Sequence, residues 1–243
     1  MYDFYAKIQK GLKYQKNSDC FFINSYVSQE GSYKISSKKN SFIFGVADGV
    51  GSSAYGGEAS KYLFEQLAKY QNQITHPIIL NIIKNTHSYL HKKYENQALS
   101  VFTVVHLQDN FITIYHVGDT RAYKLTAKGS FVRLTNDHSY VQKLIDEGVI
   151  SEDMRYTHPQ KNLILQSLGG SKDIHIDIYK NSFESGERLL LTSDGIYDYI
   201  KDEEIRKILL NSTNVETTVT RLFSTAKANH SKDDMTALLV KYS

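Results

Sequence analysis

The amino-acid sequence predicts an α+β fold, in which helices pack outside antiparallel β-sheet. Two neighbouring β-rich runs are separated only by the polar pair Gln108 and Asp109, which is typical of a hairpin. Two helical segments follow one another without a strand between them. The regular alternation of strand and helix that marks a parallel sheet is therefore missing.

Five runs have the length and the β-rich composition of strands. They are FIFGVAD, SVFTVVHL, NFITIYHV, RLLLTSD and TALLVKY. Apolar residues recur at helical intervals in GGEASKYLFEQLAKY and in PIILNIIKNTHSYLHKKY, where Pro77 suits the first turn. A third helix is predicted in VQKLIDEG before Gly148, and a fourth between about Val215 and Ala228.

Composition predicts one domain over residues 1–243, because 41% hydrophobic residues can form a sizeable core. No apolar run approaches the roughly 20 residues of a membrane span, and the N-terminus lacks the apolar core of a signal peptide. The single cysteine, Cys20, excludes an internal disulfide and fits a cytoplasmic protein. The net charge of +3 is dispersed, so we expect no nucleic-acid partner.

Three hydrophobic runs end in an aspartate beside a glycine, at Asp48, Asp119 and Asp194. Asp-Gly is also a common turn dipeptide, and each pair taken alone is better explained as a turn. However, Asp19 and the pair Asp233-Asp234 also flank apolar runs. Five such acidic positions indicate a cation site, and carboxylates without thiolates favour Mg²⁺, Mn²⁺ or Ca²⁺ over zinc.

The order of the motifs resembles the metal-dependent protein serine/threonine phosphatases of the PPM (type 2C) family, in their compact bacterial form. The resemblance extends from about Gly11 to Tyr242. The motifs that carry it are NSDC, VADGVGSSAYGGEAS, HVGDTRAYKL, LTNDHSYVQKLIDEGVI, HPQKNLILQSLGG, LLLTSDGIYDYI and SKDDMTALLV.

This resemblance implies a sandwich of two antiparallel β-sheets flanked by α-helices, with two Mn²⁺ or Mg²⁺ ions at one end. Asp48 would bridge the two ions, the carbonyl of Gly49 would hold one of them, and Asp194 and Asp233 would hold the other. Asp19 resembles an acidic residue that contacts the site, often through water.

A weaker third ion is bound by bacterial relatives, and the resemblance places it at Asp119 with Asp194 or Asp198. Two hard cations that share a carboxylate lower the pKa of a bridging water and align it with phosphorus. Asp48, Asp194 and Asp233 are thus the predicted catalytic ligands. The implied partners are phosphoserine and phosphothreonine proteins, the products of a serine/threonine kinase, and we expect a monomer.

The chain departs from the family pattern where relatives carry a phosphate-binding arginine. Tyr14 stands there, between Lys13 and Lys16, and a lysine would replace the guanidinium only as a point charge. Lys13 and Tyr14 are the predicted substrate-binding residues, although ordinary solvated surface is the more usual role of such lysines. Asp234 stands where the last motif usually has asparagine.

Two further features of the family pattern bear on catalysis. Val50 stands where many eukaryotic members have a histidine, which leaves the general acid unassigned, and His138 and His158 are better explained as structural. Residues 148–162 match the mobile flap of bacterial members, and a polar surface loop is the simpler interpretation of the same segment.

Two other functions compete with the phosphatase. A catalytically weak relative that binds phosphoproteins would explain Tyr14, but such a protein would be expected to lose some of Asp48, Gly49, Asp194 and Asp233. A calcium-binding structural domain would need clustered ligands such as an EF-hand loop, and the sequence has none.

Overall fold

The computed structural model describes residues 1–243, which form twelve β-strands, six α-helices and one 3₁₀ helix. The strands are β1 (Tyr2–Gln9), β2 (Cys20–Ile23), β3 (Tyr26–Ser28), β4 (Gly31–Ser37), β5 (Ser41–Gly49), β6 (Ser100–Gln108), β7 (Phe111–Val117), β8 (Arg121–Leu125), β9 (Phe131–Arg133), β10 (Asp177–Ser182), β11 (Arg188–Thr192) and β12 (Met235–Tyr242). The helices are α1 (Gly56–Lys69), α2 (His76–Tyr94), α3 (Tyr140–Asp146), α4 (Asp194–Tyr197), α5 (Asp202–Leu210), α6 (Val215–Ala228) and the 3₁₀ helix (Glu152–Tyr156).

The strands form two six-stranded sheets in which every pair of neighbours is antiparallel. One sheet has the order β4-β1-β12-β11-β8-β9 and the other the order β10-β7-β6-β5-β2-β3. Helices α4, α5 and α6 cover the outer face of the first sheet, and α1 and α2 cover that of the second. The fold is therefore the predicted α+β sandwich, with helices on both sides of two antiparallel sheets.

The period-two pattern of the strands separates three apolar layers. Phe44 of β5 and Leu238 of β12 pack between the two sheets, whereas their chain neighbours Ile43 and Leu239 pack against helices. Adjacent side chains of a strand point to opposite faces, so strands buried on both sides are apolar at nearly every position. Burial of these layers provides the main driving force for the fold.

Local sequence signals set the helix ends. Pro77 lies in the first turn of α2, as predicted, where its missing N–H costs no hydrogen bond. The Asn214 side chain accepts a hydrogen bond from the backbone N–H of Thr217 at 2.9 Å and so caps the start of α6. None of the helices combines the length and the apolar character required of a membrane span.

All five predicted strands and all four predicted helices are present, within a few residues of their expected ends. The turn between β6 and β7 lies one residue later than predicted, because Gln108 still pairs with Phe111 and the turn falls on Asp109 and Asn110. Asp109 has a φ of 53°, which aspartate tolerates in turns. The sequence analysis missed seven strands, β1 to β4 and β8 to β10, and the helices α4 and α5, although the alternating buried residues of β1 follow a strand pattern.

We predict that Leu238→Ala lowers the free energy of unfolding by about 2–5 kcal/mol, because it opens a cavity between the sheets. Leu210→Ala is the matched control, since Leu210 is 42% exposed at the end of α5, and its cost should be about 0.5 kcal/mol or less. Urea denaturation of the two variants tests this, and equal losses would contradict the three-layer assignment.

Candidate metal centre

Antiparallel register brings the ends of several strands to the same end of the sandwich. In one sheet, Cys20 at the start of β2 pairs with Ala47 near the end of β5. In the same sheet, Val117 at the end of β7 pairs with Phe102 near the start of β6. In the other sheet β11 ends where β12 begins, since Thr192 pairs with Ala237. Residues just beyond these strand ends therefore meet although they are far apart in the chain.

Four predicted carboxylates lie at this end. Asp48 is the last residue but one of β5, Asp119 follows β7, Asp194 begins α4 just after β11, and Asp233 precedes β12. All four line one cleft of about 200 Å³, together with Gly49. Each of them is partly exposed to solvent. The two sheets contribute two carboxylates each, so the cleft lies across the gap between them.

Glycine permits the close backbone contacts behind this cleft. A Cβ on Gly49 would lie 2.4 Å from the carbonyl carbon of Gly56, where α1 begins. Gly118 has a φ of 98°, and a Cβ there would lie 2.0 Å from Cγ1 of Val101. Any other residue at either position would force the backbone that carries Asp48 or Asp119 to move.

Burial first, and then repulsion between neighbouring carboxylates, raise the pKa values of the carboxylates in the cleft. Burial raises the pKa of Asp48 well above its ordinary value, and the charges of Asp19, Asp194, Asp119 and Asp233 raise it further. Burial and the charges of Asp233 and Asp119 do the same to the pKa of Asp194. Burial raises the pKa of Asp119 to about 7, helped by the charges of Asp137 and Asp198. Such a cluster is stabilised by added positive charge.

Asp19 lies behind the cleft and is fully buried. Its Oδ2 accepts hydrogen bonds from the hydroxyls of Ser193 at 2.7 Å and Thr236 at 2.6 Å, while its Oδ1 has no hydrogen-bond partner. Burial raises the pKa of Asp19 to about 7 in spite of these bonds, and the charge of Asp234 adds to the effect. A buried carboxylate oxygen without a partner is a position where a water or an ion would be stabilised.

The donor set fits hard divalent cations. It consists of carboxylate oxygens and backbone carbonyls, and the cleft contains no histidine or cysteine. No group of three His, Cys, Asp or Glu side chains is arranged to enclose an ion directly. That geometry suits Mg²⁺ or Mn²⁺, which keep several waters when the protein offers few direct ligands.

Asp198 is set apart from the main cleft. It lines an adjoining cavity of about 20 Å³ with Asp119, Asp194 and Lys161. The ammonium of Lys161 donates a hydrogen bond to Oδ2 of Asp198 at 2.9 Å. Burial disfavours the charged lysine, but the bond to Asp198 outweighs it and raises the pKa of Lys161. The three carboxylates predicted for a third ion, Asp119, Asp194 and Asp198, thus line one small cavity, and Lys161 lines it beside them.

The loop after β1 forms one wall of the cleft and carries Lys13 and Tyr14. Lys13 Nζ lies 3.0 Å from Oδ2 of Asp233, whereas Lys16 is exposed and does not line the cleft. Hydrogen bonding to Asp233 outweighs burial and raises the pKa of Lys13. Of the two lysines that flank Tyr14, only Lys13 therefore lines the cleft.

Asp234 fixes this loop. Its Oδ1 accepts the backbone N–H of Gly11 and its Oδ2 accepts that of Ser18, both at 2.8 Å. The side chain is buried, and burial raises its pKa while the two N–H groups oppose that effect. An asparagine in the same position would place its NH₂ group, which is a donor, opposite one of these two N–H groups. The departure of Asp234 from the family pattern thus has a structural reason.

The predicted flap segment is anchored by a buried arginine. Arg155 in the 3₁₀ helix is 3% exposed, donates to Gln142 at 2.6 Å and lies 3.5 Å from Oδ2 of Asp137. Asp137 also binds Arg121 at 2.7 Å, and the Arg121 guanidinium lies 3.7 Å from the centre of the Tyr197 ring. Arg155 thus anchors a segment in which Glu152, Asp153 and Met154 of the same 3₁₀ helix remain exposed.

Tyr197 extends this buried network to the cleft, since its hydroxyl lies 3.2 Å from Oδ2 of Asp119. Sequence reasoning missed Arg121, Arg155 and Tyr197 as parts of the site. No local pattern identifies them, because their partners are distant in the chain. Lys161 and Asn162, which line cavities beside the carboxylates, were missed for the same reason.

Neither histidine considered in the sequence lines the cleft. His138 Nδ1 accepts the backbone N–H of Gly118 at 3.2 Å, and its Nε2 lies 3.3 Å from Asp177. His158 Nδ1 accepts the backbone N–H of Gln160 at 3.1 Å. Both side chains thus make local structural contacts, and the general acid stays unassigned.

We predict that Asp119→Asn stabilises the metal-free protein near pH 8 but not near pH 4. The folded-state pKa of Asp119 is about 7, above its ordinary value of 3.8, so the folded protein retains a proton that the unfolded chain releases. The stability contributed by Asp119 is therefore lost as pH rises through that window. We expect a gain of about 1–2 kcal/mol at about pH 8, less than the full shift implies because water reaches the cleft.

Urea unfolding of metal-stripped wild type and variant at the two pH values measures this difference. Asp173→Asn is the control, because Asp173 is an exposed aspartate outside the cleft. A gain that is the same at both pH values would contradict the raised pKa of Asp119.

We predict that Asp234→Asn loosens residues 11–18. The change removes one of two buried hydrogen bonds and should cost about 1–3 kcal/mol of stability. Trypsin should cleave after Lys13 and Lys16 faster than in wild type, because the loop opens more often. Unchanged cleavage, with Asp173→Asn again as the control, would show that the loop is held elsewhere.

Comparisons with known proteins all relate this chain to protein phosphatases. Residues 28–240 match the family described as protein phosphatase 2C. The protein phosphatase PhpP of Streptococcus pneumoniae is 28% identical over 241 residues, which cover 95% of this chain and 93% of that protein. The serine/threonine phosphatase Stp1 of Staphylococcus aureus has 28% identity, with a TM-score of 0.85 over 100% of this chain and 96% of the other.

A further solved structure is the catalytic domain of the serine/threonine protein phosphatase PstP, determined with two manganese ions. It superposes with a TM-score of 0.81 over 99% of both chains, at 23% identity, which shows a shared fold. The match to residues 28–240 includes Asp48, Asp119, Asp194 and Asp233. The chain belongs to the protein phosphatase 2C family.

Proposed function

We propose that this protein is a divalent-cation-dependent protein serine/threonine phosphatase, which hydrolyses phosphoserine and phosphothreonine in other proteins. The observation that carries the proposal is the convergence of Asp48, Asp119, Asp194 and Asp233 on one cleft between the sheets. Membership of the family and the names of the relatives support it.

Two Mn²⁺ or Mg²⁺ ions are the proposed cofactors. Asp48 reaches the cleft from one sheet and Asp194 and Asp233 reach it from the other, which suits Asp48 for a bridging position. The carbonyl of Gly49 would complete one ion's shell, and Asp19 would act from behind through its unpartnered Oδ1. The manganese ions of the PstP structure support this choice of metal. When bound, two such ions activate a water and neutralise phosphate oxygens.

The residues of the chain perform the positioning. Ser193 and Thr236 orient the carboxylate of Asp19 by donating to its Oδ2. The bond from Ser100 Oγ to the carbonyl of Asp48, at 3.0 Å, holds the end of β5 in place. Carboxylates that are held in place in this way would bind the cations without having to reorganise.

Lys13 is the proposed substrate-binding cation. Its ammonium lies at the rim of the cleft, 3.0 Å from Asp233 and 5.0 Å from the centre of the Tyr14 ring. A cation bound at Asp233 would release Lys13 to contact a phosphate as a point charge. Tyr14 would hold the lysine stem at the rim and shape the entrance.

We further propose one catalytic domain over residues 1–243, in which residues 148–162 shape access for a protein substrate. The partner would be a phosphoprotein made by a serine/threonine kinase in the bacterial cytoplasm, a compartment that the single free Cys20 suits. We favour catalysis over a purely phosphoprotein-binding role, because the chain retains Asp48, Gly49, Asp194 and Asp233 in one cleft.

The test is hydrolysis of a phosphothreonine peptide by wild type, Asp48→Asn and Asp194→Asn, with Mn²⁺, with Mg²⁺ and with EDTA. We expect kcat to fall by at least about a thousandfold in both variants and in EDTA, with recovery on adding metal to wild type. Asp173→Asn is the matched control and should retain full activity. Turnover that survives EDTA and both substitutions would refute the dinuclear site.

A further inference from the structure

Lys161 lies at the position that the sequence predicted for a third cation. Its ammonium is 2.9 Å from Oδ2 of Asp198. The same small cavity is lined by Asp119 and Asp194, the other two carboxylates of that predicted site. Lys161 is the only lysine that lines this cavity.

The cavity is already supplied with positive charge from the protein itself. Arg121 and Arg155 line it together with Lys161. Asp137 compensates Arg121 through bonds of 2.7 to 3.1 Å, and Nη1 of Arg155 lies 3.5 Å from Asp137 and 3.2 Å from Glu152. A further cation at Asp198 would therefore enter beside the ammonium of Lys161 and near two guanidinium groups, and like charges at short range repel.

Size leads to the same conclusion. The cavity measures about 20 Å³, which is room for about one water molecule. A Mg²⁺ or Mn²⁺ ion with few protein ligands retains several waters and needs more space than that. Lys161 has room to leave, because it also lines an open cleft of about 270 Å³. Asp194 and Asp198 line that cleft too, but Asp119 does not, so an ion held by all three carboxylates would have to lie in the small cavity.

We propose that Lys161 is a built-in cation at the third-ion position, so that a third divalent ion binds there only when Lys161 leaves Asp198. The proposal rests on the proposed function, because Asp194 belongs to both the dinuclear site and this cavity. Lys161 follows the 3₁₀ helix of the flap segment, so occupation of the third position is linked to the position of that segment. The chain thus carries its own competitor for the weakest of the three ions.

The experiment is a Mn²⁺ titration of metal-stripped full-length protein, followed by calorimetry and by the electron paramagnetic resonance of free Mn²⁺. Wild type should bind two ions, with a third at much lower affinity. Lys161→Gln should bind the third ion with a dissociation constant about tenfold lower, because it removes the competing charge. The first two ions should be little affected.

Two variants serve as controls. Lys161→Arg keeps the positive charge and should behave like wild type. Lys143→Gln removes another lysine with a carboxylate partner, Glu147 at 3.8 Å, in an exposed pair away from the cavity, and should also behave like wild type. In the double variant Lys161→Gln with Asp198→Asn, the gained site should be lost again.

The outcomes separate the two proposals. The role of Lys161 would be overturned, and the dinuclear site left intact, if wild type binds two ions and Lys161→Gln binds the third no more tightly than wild type does. The same holds if Lys161→Arg increases the affinity for the third ion as much as Lys161→Gln does. Three ions bound by wild type with similar affinity would also overturn it. No Mn²⁺ bound by wild type would remove the proposed function and this inference together.

Discussion

Repulsion between carboxylates at one end of the sandwich is the constraint on which the rest of the structure depends. Neighbouring carboxylates raise the pKa values of Asp48, Asp119 and Asp194 in addition to the effect of burial. Such a cluster opposes folding in the absence of cations, so it needs a scaffold whose stability comes from elsewhere. The three apolar layers provide that stability, because they bury strand residues on both faces of both sheets. The carboxylate site thus lowers the stability of the fold, and the burial of apolar residues in the large core offsets that loss.

The sequence predicted those parts of the fold and site that depend on local patterns. Period-two apolar runs predicted β5, β6, β7, β11 and β12, and helical spacing predicted α1, α2, α3 and α6. The carboxylates were predictable because each directly follows or precedes such a run, and antiparallel register brings those ends together. Among the helices, α4 and α5 were not predicted, and α4 has only four residues, too few for a clear periodic signal.

Long-range pairs could not be predicted in this way. Arg155 is a polar residue in a segment that resembles a surface loop, and its burial depends on Asp137 and Gln142, which lie on other elements. The role of Asp234 depends on backbone N–H groups more than 200 residues earlier in the chain, at Gly11 and Ser18. Composition and spacing carry no information about such contacts, because the unfolded chain gives no sign of which polar group will meet which. The resemblance to the family showed that Asp234 stands where asparagine is usual, and the hydrogen bonds of the structure explain why an aspartate is present there.

The depth of a carboxylate in the cleft determines whether a lysine side chain of the protein neutralises its negative charge. At the rim, Lys13 pairs with Asp233 and Lys161 pairs with Asp198, and both lysine side chains are partly exposed, at 45% and 33%. A lysine is a flexible point charge, so each pair can separate when a stronger cation or an anionic substrate arrives. Further in, no lysine bonds to Asp48, and Oδ1 of Asp19 has no partner at all. The negative charge that the chain does not compensate is therefore greatest where the two sheets meet. The carboxylates there are carried by strand ends, whose backbone is fixed by pairing within the sheets, so they cannot move apart.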